Sequence, residues 1–494
     1  MNTFEDTGAR RGSRPGDSGS FARVFSGAAI VAALSVLSAG VGHAANLGEL
    51  PGQTQLQSST GNGIADVCAR LAPLGDDNRT PLQQDLFETC RSMVQNGNEI
   101  AGSGLTAFSL NLPEEVLNGA IQNVATEEIA MTNQVTTRTS NGQVANIVGR
   151  ISELTAGAGG FSIAQVNENG TRIGAPTQVA MSGSGRRGGA AGADDGSVAS
   201  KLGGFVNLIG SFGDKDQTTQ EAGFDFNTIG VTGGLDYRFT DNIVAGAALG
   251  YSRLNSSFKK SADVSGGDSD ANGFGAALYG LYYLDRINFH GILGYSRNDF
   301  DLNRSVIIPS NNPDIASQSV TATSSPDSNQ FYIAGGAGYD MTTGAWNYGP
   351  FLDLRYLNAD IDSYTETGAG GLNLAVDSQD FDSLKTVLGF QGAYAMSQSF
   401  GVVQPYLRAA WHHEFLNDSR TINSRYVNEF IPAGGSPTFL PVVTESPDRD
   451  YGTIGVGLSS VFQGGWQGYF LYERWIALDN ITDNVFALGV RGEF

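Results

Sequence analysis

From Lys201 onward the apolar positions recur with a period of two. Ile229, Val231, Leu235, Tyr237 and Phe239 fall on one face of a run whose other face carries Gly230, Thr232, Gly234, Asp236 and Arg238. Leu407, Ala409 and Trp411 oppose Tyr406, Arg408, Ala410 and His412 in the same way. In the last run Phe486, Leu488, Val490, Gly492 and Phe494 oppose Ala487, Gly489, Arg491 and Glu493. Successive side chains of a strand point to opposite faces, so the pattern predicts β-strands with one apolar face and one face of charge and glycine. Twelve strands are expected, beginning near Gly203, Phe224, Asn242, Asn272, Ile287, Asn329, Trp346, Phe381, Gly401, Asp450, Trp466 and Thr482.

A soluble β-sandwich would alternate as well. The connections decide between them. Thr240 to Asn242, Asp285-Arg286, Thr342 to Ala345, Ser397 to Phe400 and Gln463 to Gly465 are tight. The intervening ones, Lys259 to Ser269, Ser305 to Asp327, Asp362 to Gln379 and Asn417 to Arg449, are mostly long. Short turns alternating with long loops predict a closed, antiparallel transmembrane β-barrel over residues 201–494, with its turns in the periplasm and its loops outside. Tyr237, Phe239, Trp346, Trp411 and Trp466 lie near strand ends, where an interfacial girdle would sit. An even strand number puts both ends of the barrel on the periplasmic side.

Upstream the period changes. Residues 45–154 read as a helical region. Ile64, Val67 and Leu71 surround Cys68, Pro73 to Pro81 breaks the run, and Leu82, Leu86, Phe87, Met93 and Val94 recur around Cys90. Cys68 and Cys90 are the only two cysteines, and in an exported chain they are expected to form a disulfide across a helical hairpin. Pro113 with Glu114 and Glu115 marks another helix start, and Leu117, Ile121, Val124, Met131 and Val135 continue its apolar stripe. Residues 155–200 turn to Gly, Ala and Ser and read as a linker. Residues 1–44 read as a secretory signal: Arg10, Arg11, Arg14 and Arg23 precede an apolar run from Val24 to Leu37, with a cut expected after Ala44 or Ala45.

Bulk charge narrows the function classes. A net charge of −21 argues against a nucleic-acid partner, which needs a basic surface to neutralise phosphates. It argues equally against docking on an anionic leaflet by charge.

The order of signal, helical region, linker and barrel resembles the autotransporters of type V secretion. The words Gly223-Phe-Asp-Phe226, Gly234-Leu-Asp-Tyr-Arg-Phe239, Gly250-Tyr251, Gln404-Pro-Tyr406 and Phe486 to Phe494 are similar to that family's translocator domain. The resemblance implies that the helical region is a passenger. It implies lipid of the outer membrane, periplasmic chaperones and the barrel-assembly machinery as partners. It also implies that Phe486, Leu488, Val490, Gly492 and Phe494 form the assembly signal. The family holds a segment preceding the first strand inside its pore. Here that segment is expected within Ala191 to Leu202, although a glycine-rich run makes a poor helix; an extended segment or a helix from further upstream are the alternatives. Some relatives cleave the passenger at an asparagine in the pore. Ser182 to Ser200 holds no asparagine, so no such cleavage is expected.

Candidate chemistry changes this picture little. The four histidines are His43, His290, His412 and His413, and residues 46–200 hold neither histidine nor lysine. A Ser-His-Asp triad, a Cys-His pair, a Ser-Lys dyad and a histidine-built zinc site are therefore excluded from the passenger. The Gly-Asp-Ser-Leu signature of lipase-type relatives is absent. Asp76, Asp77 and Asp85 read as a solvated loop and a helix terminus, and Gly266-Gly-Asp268-Ser-Asp270 as an external loop rather than a calcium site. Arg408, His412 and Glu414 share the polar face of one strand and are expected in a lumenal network around the plug. No cofactor is expected. The reading is a non-enzymatic outer-membrane translocator of a Gram-negative bacterium. It displays a short passenger at the cell surface, with adhesion suggested by family analogy and the surface ligand unknown. The alternative is a structural outer-membrane protein or plugged channel whose N-terminal region stays in the periplasm.

Overall fold

The structure is a computed structural model and describes residues 47–104, 106–125, 131, 142–151, 154, 201–260, 266–462 and 466–493. The expected signal, its cleavage site, the linker over 155–200 and Phe494 lie outside the described residues.

Twelve antiparallel strands close into a barrel. They are β1 (Leu202–Lys215), β2 (Phe224–Thr240), β3 (Ile243–Phe258), β4 (Gly267–Leu284), β5 (Ile287–Ile308) and β6 (Asp327–Tyr339). Then follow β7 (Trp346–Ile361), β8 (Gln379–Tyr394), β9 (Gly401–Glu414), β10 (Asp450–Phe462), β11 (Gln467–Ile476) and β12 (Ile481–Glu493). Neighbours in sequence pair all the way round, and β12 returns to β1 in unbroken register from Gly203↔Glu493 to Lys215↔Ile481. Closure removes the unpaired sheet edge, which a bilayer would not tolerate. The apolar face of each alternating strand is the outer one: Ile229, Val231, Leu235, Leu407, Trp411, Leu488 and Val490 are exposed, whereas Thr232, Asp236, His412 and Arg491 are buried inside. Aromatic pairs such as Tyr237–Phe239, Trp346–Tyr394 and Phe400–Phe462 gather at the tight-turn end. No helix among the described residues is long and apolar enough to cross a membrane.

Strand heights are unequal. A spanning strand needs about 9–11 residues, but β5 has 22. Its outer part therefore stands beyond the bilayer. This overturns one expected boundary: β4 starts at Gly267 rather than near Asn272, because the tall β5 gives Gly267 and Asp268 the partners Arg304 and Asn303. Gly267 to Asp270 are thus strand and not loop.

The long connections are not plain loops. Gln318–Ser324 folds back on β5. Tyr364–Thr365, Leu374–Val376, Thr421–Tyr426 and Leu440–Val443 assemble a second, four-stranded sheet above the barrel.

The N-terminal region is helical, with α1 (Gln55–Leu71), α2 (Pro81–Ile100) and α3 (Glu114–Val124). Thr54 with Gln57 and Thr80 with Gln83 form capping boxes that satisfy the first amides of α1 and α2. Cys68 on α1 and Cys90 on α2 are joined by the expected disulfide, with Cα atoms 5.6 Å apart. Pro113 stands at the extended position just before α3, without a side-chain capping bond, rather than in its first turn. The apolar stripe does not continue as one helix. Ala125 is extended and ends α3, and Met131 lies instead among Phe224, Phe226, Leu254, Phe258 and Phe300 inside the barrel mouth. Val135 is outside the described residues.

Candidate functional site

Two features occupy the barrel: a helix within its lumen, and a cap on its long-loop side.

Residues 142–151 are helical and stand inside the barrel. Val144, Ile147, Val148, Ile151 and Leu154 recur at helical spacing and pack on Phe205, Val244, Ala248, Ala277, Tyr279, Leu281 and Ile292 of the β1–β5 wall. Polar atoms tie the same helix down. Asn146 donates to Thr232 Oγ1 at 2.9 Å, and Asn207 donates to the Asn146 carbonyl at 2.8 Å. Arg150 donates through Nε and Nη2 to Asp236 Oδ2 at 2.8 and 2.5 Å, and Tyr279 adds its hydroxyl at 3.0 Å. Burying two charges is costly unless they are paired and hydrogen-bonded, and here they are. At Gly275 a Cβ would stand 2.1 Å from Gln143 Oε1, so the glycine lets the Gln143 side chain lie flat against β4. The helix runs from the level of Gly275 down to Asp236, which is close to the tight turn after Thr240.

This matches the alternative of a helix from further upstream rather than the segment Ala191 to Leu202. The lumenal helix comes from upstream, within residues that the sequence groups with the passenger; Ala191 to Ser200 are outside the described residues. Apolar side chains at period 3.6 give residues 142–151 a face that can bury, which a glycine-rich run lacks. The absence of asparagine from Ser182 to Ser200 therefore does not bear on the lumenal segment, which contains Asn146.

The opposite wall lines a cavity of about 1210 Å³ beside the helix. Arg408, His412 and Glu414 all face it from β9. They do not bond to one another in a single network around the helix. His412 stacks on Tyr451 with centroids 4.7 Å apart and meets Thr453 Oγ1 at 3.2 Å. Glu414 accepts from Ser383 Oγ at 2.6 Å and from the Leu384 amide at 2.9 Å. Arg408 lies over the Phe351 ring at 4.2 Å. The contact that anchors the helix, Arg150 with Asp236, is on the other wall, and strand parity alone does not pair the two. The sequence carries a signal for it: Asp236 is on the polar face of the clearest strand, and Arg150 is the one charge within the apolar run from Val144 to Ile151.

The cap is built by α1–α3 and the long loops together. Leu47, Ile64, Leu71, Leu86, Met93, Leu117 and Ile121 share one core with Val306, Ile308, Ala322, Leu372, Leu374, Tyr426 and Leu440. Polar contacts seal its rim. Asn312 donates to the Ser109 carbonyl at 2.7 Å, and Thr438 donates to Asp66 at 2.6 Å. Arg70 reaches the Ser436 carbonyl at 2.6 Å. Under the cap, Arg304 of β5 forks onto Glu366 at 2.8 and 2.6 Å and reaches the Leu372 carbonyl at 3.1 Å. Burial raises the Glu429 carboxyl above its ordinary value, although the Thr438 amide donates to it. The assembly-signal residues lie on β12. Phe486, Leu488 and Val490 point outward, Phe486 stacks on Phe212 of β1 with centroids 5.8 Å apart, and Gly492 pairs with Gly204.

The model of the autotransporter β-domain matches residues 204–473. Outer membrane protein A of Rickettsia conorii is 23% identical over 268 residues, 54% of this chain and 13% of that protein. Esterase EstA of Pseudomonas aeruginosa is 28% identical over 245 residues, 47% of this chain and 35% of the esterase. The chain thus spans well under two thirds of either relative. Among solved structures, the translocator domain of the autotransporter NalP from Neisseria meningitidis is 16% identical with a TM-score of 0.45, covering 62% of this chain and 91% of that one. The β domain of the Bordetella autotransporter BrkA is 18% identical with a TM-score of 0.41, covering 60% and 100%.

Proposed function

Since the chain belongs to the autotransporter family, its barrel being a translocator domain of the outer membrane, we propose that it holds its own helical region at the cell surface as a short, non-catalytic passenger. One observation carries this: the helices share their core with the long loops, and long loops of such barrels face outward. The lumenal helix fits a chain that enters the barrel from that side and descends toward the tight turns.

Two curated relatives are named as an esterase and an extracellular serine protease. Those activities do not transfer to this passenger, because residues 46–200 contain neither histidine nor lysine to activate a nucleophile. A contact role such as adhesion is the reading left for it. Outer-membrane lipid, periplasmic chaperones and the barrel-assembly machinery are the proposed partners. Lipid would be met by the outward Leu407, Trp411, Leu488 and Val490, and the assembly machinery by the β12 strand.

Protease added to intact cells tests the placement. Cleavage within residues 46–125 without permeabilisation supports display, and protection until the outer membrane is opened overturns it. A plugged channel is the second reading, favoured by the cavity beside the lumenal helix. Steady conductance of the purified chain in planar bilayers would support it.

A further inference from the structure

We propose that the long loops of the barrel are the folding template of the helical region, so that the passenger completes its core on the barrel and stays there as a cap. The proposal rests on the surface placement argued above and adds what the passenger binds, namely its own barrel.

Neither half has a full core alone. Residues 47–125 supply three helices with one buried side, a size at which a single apolar core is marginal. The loop sheet has strands of two to six residues. It is separate from the barrel sheet and touches its edge at the Thr323↔Thr367 bridge. A sheet of that size needs a cover on its apolar face. The helices provide it: Leu374, Tyr426 and Leu440 are 0%, 2% and 1% exposed within the shared core, and Val442 packs on Leu56 and Ala125.

The two surfaces are also cut to one another. A Cβ on Gly63 of α1 would stand 2.3 Å from Leu440 Cδ2. A Cβ on Gly371 would stand 2.4 Å from the Leu86 amide nitrogen and 2.7 Å from the Leu82 carbonyl oxygen of α2. The Gly371 amide donates to Asp85 at 2.7 Å, and Gln318 donates to Thr89 at 2.7 Å. Such contacts need backbone and side chains of both halves in place at once. They mark a permanent interface rather than a brush between a tethered domain and a pore.

Gly63 gives a sharp test, because leucine is a far better helix former than glycine. Gly63→Leu strengthens α1 by itself yet collides with Leu440. Full-length protein is produced in cells with an epitope at Ser103, and limited proteolysis of intact cells is followed by blotting. The template account expects the helical region of Gly63→Leu to be cut about tenfold faster than wild type. The barrel should keep its heat-modifiable gel mobility, and Gly63→Leu with Leu440→Ala should recover resistance. An accessible epitope with equal cleavage rates in all three proteins would overturn the template alone. An epitope hidden until the outer membrane is permeabilised would overturn the surface placement and this proposal with it.

Discussion

Arg150 and Asp236 meet on one carboxylate oxygen: Nε and Nη2 of the lumenal arginine both donate to Oδ2, at 2.8 and 2.5 Å, with both side chains buried. This pair joins the only described helix inside the lumen to β2. Asp236→Ala removes the carboxylate oxygen on which both Arg150 donors meet, a loss of roughly 3–5 kcal/mol for a buried pair broken on one side. The helix should then leave its seat part of the time. Bilayer conductance of the variant should rise above wild type, and Arg150→Met with Asp236→Leu should restore the quiet state. Unchanged conductance in Asp236→Ala would contradict this role.

The outward face of β12 carries the exposed apolar side chains Phe486, Leu488 and Val490. Leu488 pairs with Leu208 and Phe470 in mid-strand. Leu488→Arg should cost about 2–4 kcal/mol if the site lies near the bilayer midplane. The folded fraction, read from heat-modifiable mobility, should fall. Ala487→Ser, inside the barrel, should leave it unchanged.

The disulfide joins α1 to α2 within the cap. Cys68 and Cys90 are 22 residues apart, a loop whose closure is worth roughly 3 kcal/mol in the chain-entropy model. Cys68→Ser with Cys90→Ser should speed proteolysis of α1 and α2 on intact cells. Barrel assembly should not change. A fall in barrel yield would place the bond earlier in biogenesis.

Arg304 links β5 to the loop sheet through the fork onto Glu366, and Glu366 also accepts from the Leu374 amide at 2.9 Å. Glu366→Ala leaves Arg304 buried without its carboxylate, a loss of about 3 kcal/mol. The loop sheet should become protease-sensitive while β1–β12 persist. Equal sensitivity to wild type would show that the sheet stands without this pair.

The barrel was legible because its signal is local. Phe224, Ile287, Trp346, Gly401 and Asp450 each follow a tight polar turn or a long loop and open a period-two run, and each begins a strand where expected. β4 began earlier because Gly267 to Asp270 are polar and owe their strand state to the height of β5. The lumenal helix and the loop sheet were not legible. Val144 to Leu154 carry a clear helical period, but period alone does not say that the apolar face meets Phe205 and Tyr279 inside a barrel. Leu374 to Val376 and Leu440 to Val443 are too short to show alternation, and they become strands only where helices cover them. Arg408, His412 and Glu414 were placed on one face by parity; their bonding partners come from neighbouring strands, which parity does not reveal.

The most direct measurement is antibody binding to intact cells that carry an epitope between Gly102 and Ser103. This exposed turn follows α2, and a Cβ on Gly102 or Gly104 would meet nothing within 4 Å. The account predicts full binding before permeabilisation, because the turn belongs to the cap on the long-loop side. Binding that appears only after the outer membrane is opened would place the helical region in the periplasm and contradict it.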